Sequence, residues 1–66
     1  MQITLNGQTY ILEERTSIAS LMNDLQLDPR KIAIEHNLTI IPCSEYKDIY
    51  ITEGDVLEVV QFIGGG

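Results

Sequence analysis

The chain has 66 residues, with ten acidic side chains against four basic ones and a formal charge of −6. That makes one domain with a thin core and a surface that repels phosphate backbones. A single cysteine and a single histidine exclude an intramolecular disulfide and fall short of the usual ligand count for structural zinc, so hydrophobic packing must hold the fold.

Met1, Ile3 and Leu5 alternate with Gln2, Thr4 and Asn6, the period-two pattern of a half-buried strand. Asn6-Gly7 predicts a tight hairpin turn, because both residues tolerate positive φ, and residues 8–12 return as a second strand. Glu13-Glu14-Arg15 is a polar link. The hydroxyl of Thr16 is placed to cap a helix over 17–26, on which Ile18, Leu21, Met22 and Leu25 fall at i, i+3, i+4 and i+7. Such a stripe covers a small sheet. Asp28-Pro29 stops the helix, since the residue before a proline is pushed out of helical geometry.

Residues 31–35 read as a third strand with Ile32 and Ile34 on one side, His36-Asn37 as a turn, and 38–41 as a short fourth strand. Pro42 lacks an amide donor and marks a strand end or a sheet edge. Residues 43–51 are irregular, with a turn and a brief helical or extended piece. Glu53-Gly54-Asp55 is a further turn, and 56–63 is the longest strand. This order predicts an α+β domain: a mixed sheet with one helix on one face, and the last strand parallel to the first in the centre. No apolar stretch approaches the roughly 20 residues that span a bilayer, and no signal peptide is expected before the first strand. The expectation is a cytoplasmic protein with neither nucleic acid nor membrane as partner.

Periodicity divides the last strand into Leu57, Val59, Gln61 and Ile63, expected to face the helix, and Glu58, Val60 and Phe62, expected on the uncovered face. Val60 and Phe62 then form an exposed apolar pair beside the end of the strand and are candidates for docking a partner. Behind the strand stand Gly64-Gly65-Gly66. Glycine loses the most conformational freedom on ordering, so three in succession suit a flexible arm or a slot too narrow for a Cβ. The expected organisation is therefore a domain over 1–63 with a flexible tail over 64–66. Three extended residues reach roughly 10 Å, and the carboxylate of Gly66 at the tip is a group that another enzyme can activate. Gly64 and Gly65 are the threading residues.

Independent catalysis is not expected. His36 and Cys43 stand seven residues apart with a strand between them, the carboxylates are scattered, and no glycine-rich phosphate loop precedes the helix. No metal ligands are assigned.

Met1-Gln2-Ile3 with Asn6-Gly7, the helix opened by Thr16 with Leu21 and Leu25, and Ile34-Glu35-His36-Asn37 leading to Ile40-Ile41-Pro42 together resemble the sulfur-carrier (ThiS) family of thiamine biosynthesis. So do Glu53-Gly54-Asp55, the strand to Ile63 and the terminal Gly65-Gly66. The chain departs from that family's pattern at Leu38, where glycine is frequent, and at Cys43, where a basic residue is frequent. The resemblance implies a ubiquitin-like β-grasp fold and a carrier rather than an enzyme. It binds no cofactor itself; an adenylating enzyme of the ubiquitin-activating kind uses ATP on the Gly66 carboxylate. A persulfide donor then supplies sulfur to form a thiocarboxylate, and thiazole synthase consumes it. The small subunit of molybdopterin synthase shares fold, tail and chemistry, although its usual proline before the last glycines is missing from Gln61-Phe62-Ile63-Gly64. A ubiquitin-like conjugation tag, and a β-grasp interaction module without carrier chemistry, are the remaining readings.

Overall fold

The computed structural model describes residues 1–62. Five strands form one mixed sheet: β1 (Gln2–Leu5), β2 (Gln8–Ile11), β3 (Ile32–His36), β4 (Thr39–Ile41) and β5 (Val56–Gln61), in the order β2-β1-β5-β3-β4. β1 and β2 are an antiparallel hairpin, closed by Asn6 and Gly7 at φ 50° and 79°. Two successive positive φ values match the right-handed twist of the strands. β5 lies at the centre and parallel to β1, as the element order predicts, and it is antiparallel to β3.

One helix, α1 (Ile18–Asp24), covers one face. Ile18, Leu21 and Met22 are buried against Ile3, Ile32, Ile34, Ile41 and Leu57 of the sheet, with Leu12, Tyr46 and Ile51 closing the margins and Leu25 half-buried beside them. Alternation thus identifies the buried side of β3 and β5 correctly.

The helix ends differ from the sequence reading. Ser17, not Thr16, is the N-cap: its Oγ accepts the Ser20 amide at 3.0 Å. The Thr16 hydroxyl is already committed, donating to the Glu14 carbonyl at 2.8 Å. The C-terminus lies before Asp28-Pro29. Gln26 adopts φ 59° and its N–H bonds the Asn23 carbonyl, while the Leu27 N–H bonds the Met22 carbonyl. That is a Schellman closure built on glutamine instead of glycine. Asp28 caps a separate 3₁₀ turn, Pro29–Lys31.

The β3–β4 turn is also displaced by one residue. His36 closes β3, and Asn37-Leu38 make the turn at φ 52° and 74°. In the irregular region, Cys43–Glu45 form a 3₁₀ turn and Tyr50 makes an isolated antiparallel bridge to Ser17. Tyr50 also lies under the Arg15 guanidinium, 4.0 Å from its ring centroid, a cation–π contact at the domain margin. Among the described residues no helix is long and apolar enough to cross a membrane.

Candidate functional site

β5 carries the expected site, and three side chains fix its position. Asp55, immediately before the strand, is buried at 6% exposure. Its carboxylate accepts from the Thr52 amide at 2.9 Å, the Thr52 hydroxyl at 3.0 Å and Asn37 Nδ2 at 3.1 Å, and lies 2.8 Å from His36 Nε2. Burial pushes this carboxyl up, but the Thr52 amide, His36, Asn37 and the Thr52 hydroxyl outweigh it and hold it at about 2. Asn37 Oδ1 accepts the Val56 amide at 2.8 Å, and the Asn37 amide bonds the Val56 carbonyl. The start of β5 is therefore clamped to the β3–β4 turn.

Further along, β1 ends at Leu5, opposite Leu57. Asn6 extends its side: Oδ1 accepts the Val59 amide at 2.7 Å. On the other side β3 pairs with β5 as far as Ile32 opposite Gln61, and the Phe62 amide bonds the Lys31 carbonyl at 2.9 Å. The strand leading to the glycines is thus held rigidly up to Phe62.

Leu57 is fully buried, while Val60 and Phe62 are 58% and 60% exposed, on the face opposite the helix. Register adds neighbours that periodicity within β5 cannot show. Ala33 stands directly beside Val60, and Glu35 lies between Glu58 and Ile40. Ile40, Ile11 and Val56 are further exposed apolar residues of that face. Gly64, Gly65 and Gly66, the expected threading and modification residues, lie outside the described residues, as do Ile63 and the expected boundary at residue 63.

Two groups passed over in the sequence acquire roles here. His36 is not an isolated turn histidine but part of the Asp55 clamp. Its pairing with Asp55 across 19 residues leaves no local sequence signal. Cys43 is exposed at the rim of a cavity of about 400 Å³ beside α1, lined also by Met22, Leu27 and Tyr46. Among the described residues no group of three His, Cys, Asp or Glu side chains is arranged to hold a metal.

Comparison with known proteins fits this geometry. Residues 3–66 match the model of the ThiS family. The chain belongs to the ThiS family. Among its relatives, the sulfur carrier protein ThiS of Bacillus subtilis is 32% identical over 97% of this chain and 98% of that protein. A thiazole synthase of Paramagnetospirillum magneticum is 39% identical over the whole chain, and one of Magnetococcus marinus is 38% identical. This chain spans about a fifth of the length of those two synthases, 20% of each. The crystal structure of the thiamine biosynthesis protein ThiS from Geobacter metallireducens superposes with a TM-score of 0.86 at 23% identity, covering all of both chains. That likeness establishes the β-grasp architecture. The ThiS match does not favour the molybdopterin-synthase alternative.

Proposed function

We propose that this member of the ThiS family is a sulfur carrier for thiazole formation in thiamine biosynthesis, and that the carboxyl group of Gly66 bears the sulfur. The observation that carries the reading is the family match over residues 3–66, joined to a central strand clamped as far as Phe62 on the line to the glycines. A rigid body that delivers a short, side-chain-free arm suits a protein on which other enzymes act.

The chemistry follows from the carboxylate. As an anion it is a poor electrophile. An adenylating enzyme couples it to ATP with loss of pyrophosphate, and the acyl carbon then carries AMP as leaving group. A donor persulfide attacks that carbon and AMP departs, leaving an acyl disulfide. Exchange with a thiol releases the thiocarboxylate and forms an ordinary disulfide on the donor side. Thiazole synthase takes the sulfur, and the regenerated carboxylate re-enters the cycle. The ATP-dependent first step sets the cycle in the cytoplasm. Val60 and Phe62 are the docking residues beside the arm, and Gly64 and Gly65 pass through the slot that admits it.

The test is ATP–pyrophosphate exchange with the adenylating enzyme from the same organism. The wild-type chain supports exchange, and Gly65→Val abolishes it while melting at the wild-type temperature. Equal exchange by Gly65→Val contradicts the threading role. No exchange with the wild type contradicts the carrier reading itself.

A further inference from the structure

The cavity beside α1 has no part in the carrier chemistry. At about 400 Å³ it lies within the size range of small-molecule sites. Met22, Leu27 and Pro29 give it an apolar wall, and Tyr46, Lys47 and Cys43 also line it. Tyr46 is only 4% exposed, and no hydrogen bond among the described residues uses its hydroxyl. Yet no fully enclosed side-chain oxygen or nitrogen of the described residues lacks a partner. The hydroxyl therefore belongs to the small accessible part of Tyr46, and the space it opens on is the cavity. A nearly buried phenol with an unused donor costs stability until something accepts from it. Burial, and after it the nearby Cys43 thiol, push this phenol's pKa up, so it keeps its proton and stays a donor. Charge is distributed unevenly as well. The chain has ten carboxylates and four Lys or Arg side chains, but the described lining contains one lysine and no Asp or Glu. Lys47 forms no ion pair among the described residues, where the pairs are Arg30–Asp28 and His36–Asp55.

From this lining we propose that the cavity binds a small monocarboxylate with an apolar body, one ring or a short branched chain in size. The body lies against Met22, Leu27 and Pro29. One carboxylate oxygen accepts from the Tyr46 hydroxyl, and the Lys47 ammonium balances the charge at the mouth. An ionised carboxylate only accepts hydrogen bonds, so it matches a phenol and an ammonium that both donate, and bonds to a charged acceptor are the stronger kind. An alcohol with the same body leaves Lys47 unused, and an amine meets it with like charge. The net charge of −6 repels an anion at long range, but salt at about 0.15 M screens that repulsion beyond about 8 Å, whereas Tyr46 and Lys47 act at contact. Cys43 is exposed in the free chain and stands at the rim, where an occupant covers it. The site requires nothing of Gly66 and goes beyond the carrier reading.

Benzoate is the probe, titrated into the full isotope-labelled chain and followed by NMR, with benzyl alcohol as the uncharged comparison. The expected result is saturable shifts confined to residues around the cavity, with a Kd on the order of 1 mM or tighter. Alkylation of Cys43 by iodoacetamide slows in step, and benzyl alcohol binds more weakly. Tyr46→Phe keeps the ring in the core and weakens benzoate by on the order of tenfold, while its melting temperature holds or rises because the hydroxyl makes no bond in the free chain. A phenol needed for the fold alone gives the reverse, unchanged affinity with a lower melting temperature. Lys47→Gln, at an exposed position, weakens benzoate and leaves benzyl alcohol unchanged. Absence of saturable shifts at millimolar benzoate overturns the proposal, as do shifts centred on another cation, or wild-type affinity in both variants. None of these results bears on adenylation of Gly66, so the carrier reading stands or falls separately.

Discussion

Replacing Asp55 by asparagine tests the clamp at the start of β5. The folded carboxyl sits at about 2 against an ordinary value of 3.8, and at about 1.4 kcal/mol per pH unit ionised Asp55 contributes on the order of 2 kcal/mol to stability. The folded chain therefore holds this proton less readily than the unfolded chain. Above about pH 5 both forms are ionised and the contribution is complete. As pH falls toward about 2 the unfolded chain takes up the proton first, and the contribution disappears. Asparagine resembles the protonated state at every pH and leaves fewer acceptor sites for the Thr52 amide and hydroxyl, Asn37 and His36.

 The variant is expected to lose about 2–3 kcal/mol at pH 7, which for a domain of this length lowers the melting temperature by roughly 10–20 °C. Urea and thermal unfolding followed by circular dichroism from pH 2 to pH 8 read the effect directly. The gap between wild type and variant should be widest above pH 5 and close toward pH 2. Asp28 is also held low, by its hydrogen bonds to Arg30, but it is common to both proteins, so the difference isolates Asp55. Parallel acid limbs, with the gap constant across the range, refute the reasoning.

Three further outcomes follow from the same geometry. Leu38 is 89% exposed at φ 74°, so Leu38→Gly relieves left-handed strain without losing packing and should stabilise the chain by about 1 kcal/mol, read as a higher urea midpoint. Ser17→Ala should cost about 1 kcal/mol through loss of the Ser20 cap, and Thr16→Ala less, because its hydroxyl bonds only the Glu14 carbonyl; equal losses contradict the cap assignment. Ile34→Ala, at the fully buried centre of β3, should cost about 2–5 kcal/mol by urea unfolding, whereas Val60→Ala on the open face should stay within about 0.5 kcal/mol.

Much of the fold is legible in the sequence because its signals are short-range. Asn6-Gly7 fixes a hairpin, the spacing of Ile18, Leu21, Met22 and Leu25 fixes a helix face, and alternation places Ile32, Ile34 and Leu57 inward. The misplacements occur where two residues compete for one role or where an ordinary residue takes a special backbone conformation. Thr16 and Ser17 are both good caps, and only the Glu14 carbonyl decides between them. Gln26 and Leu38 carry no sign that they adopt positive φ. At the site, period two exposes Val60 and Phe62, but the neighbours of Val60 depend on register between distant strands. The Asp55 clamp unites residues 36, 37, 52 and 55 through hydrogen bonds that no spacing rule encodes.

The carrier reading is tested most directly at its last carboxyl group. The chain is incubated with the adenylating enzyme, ATP and a persulfide donor labelled with heavy sulfur, then digested and weighed by mass spectrometry. The reading predicts one oxygen exchanged for one labelled sulfur in the peptide ending at Gly66, and passage of that label into the thiazole when the synthase and its other substrates are added. A C-terminal peptide that stays unlabelled while labelled thiazole still forms contradicts it.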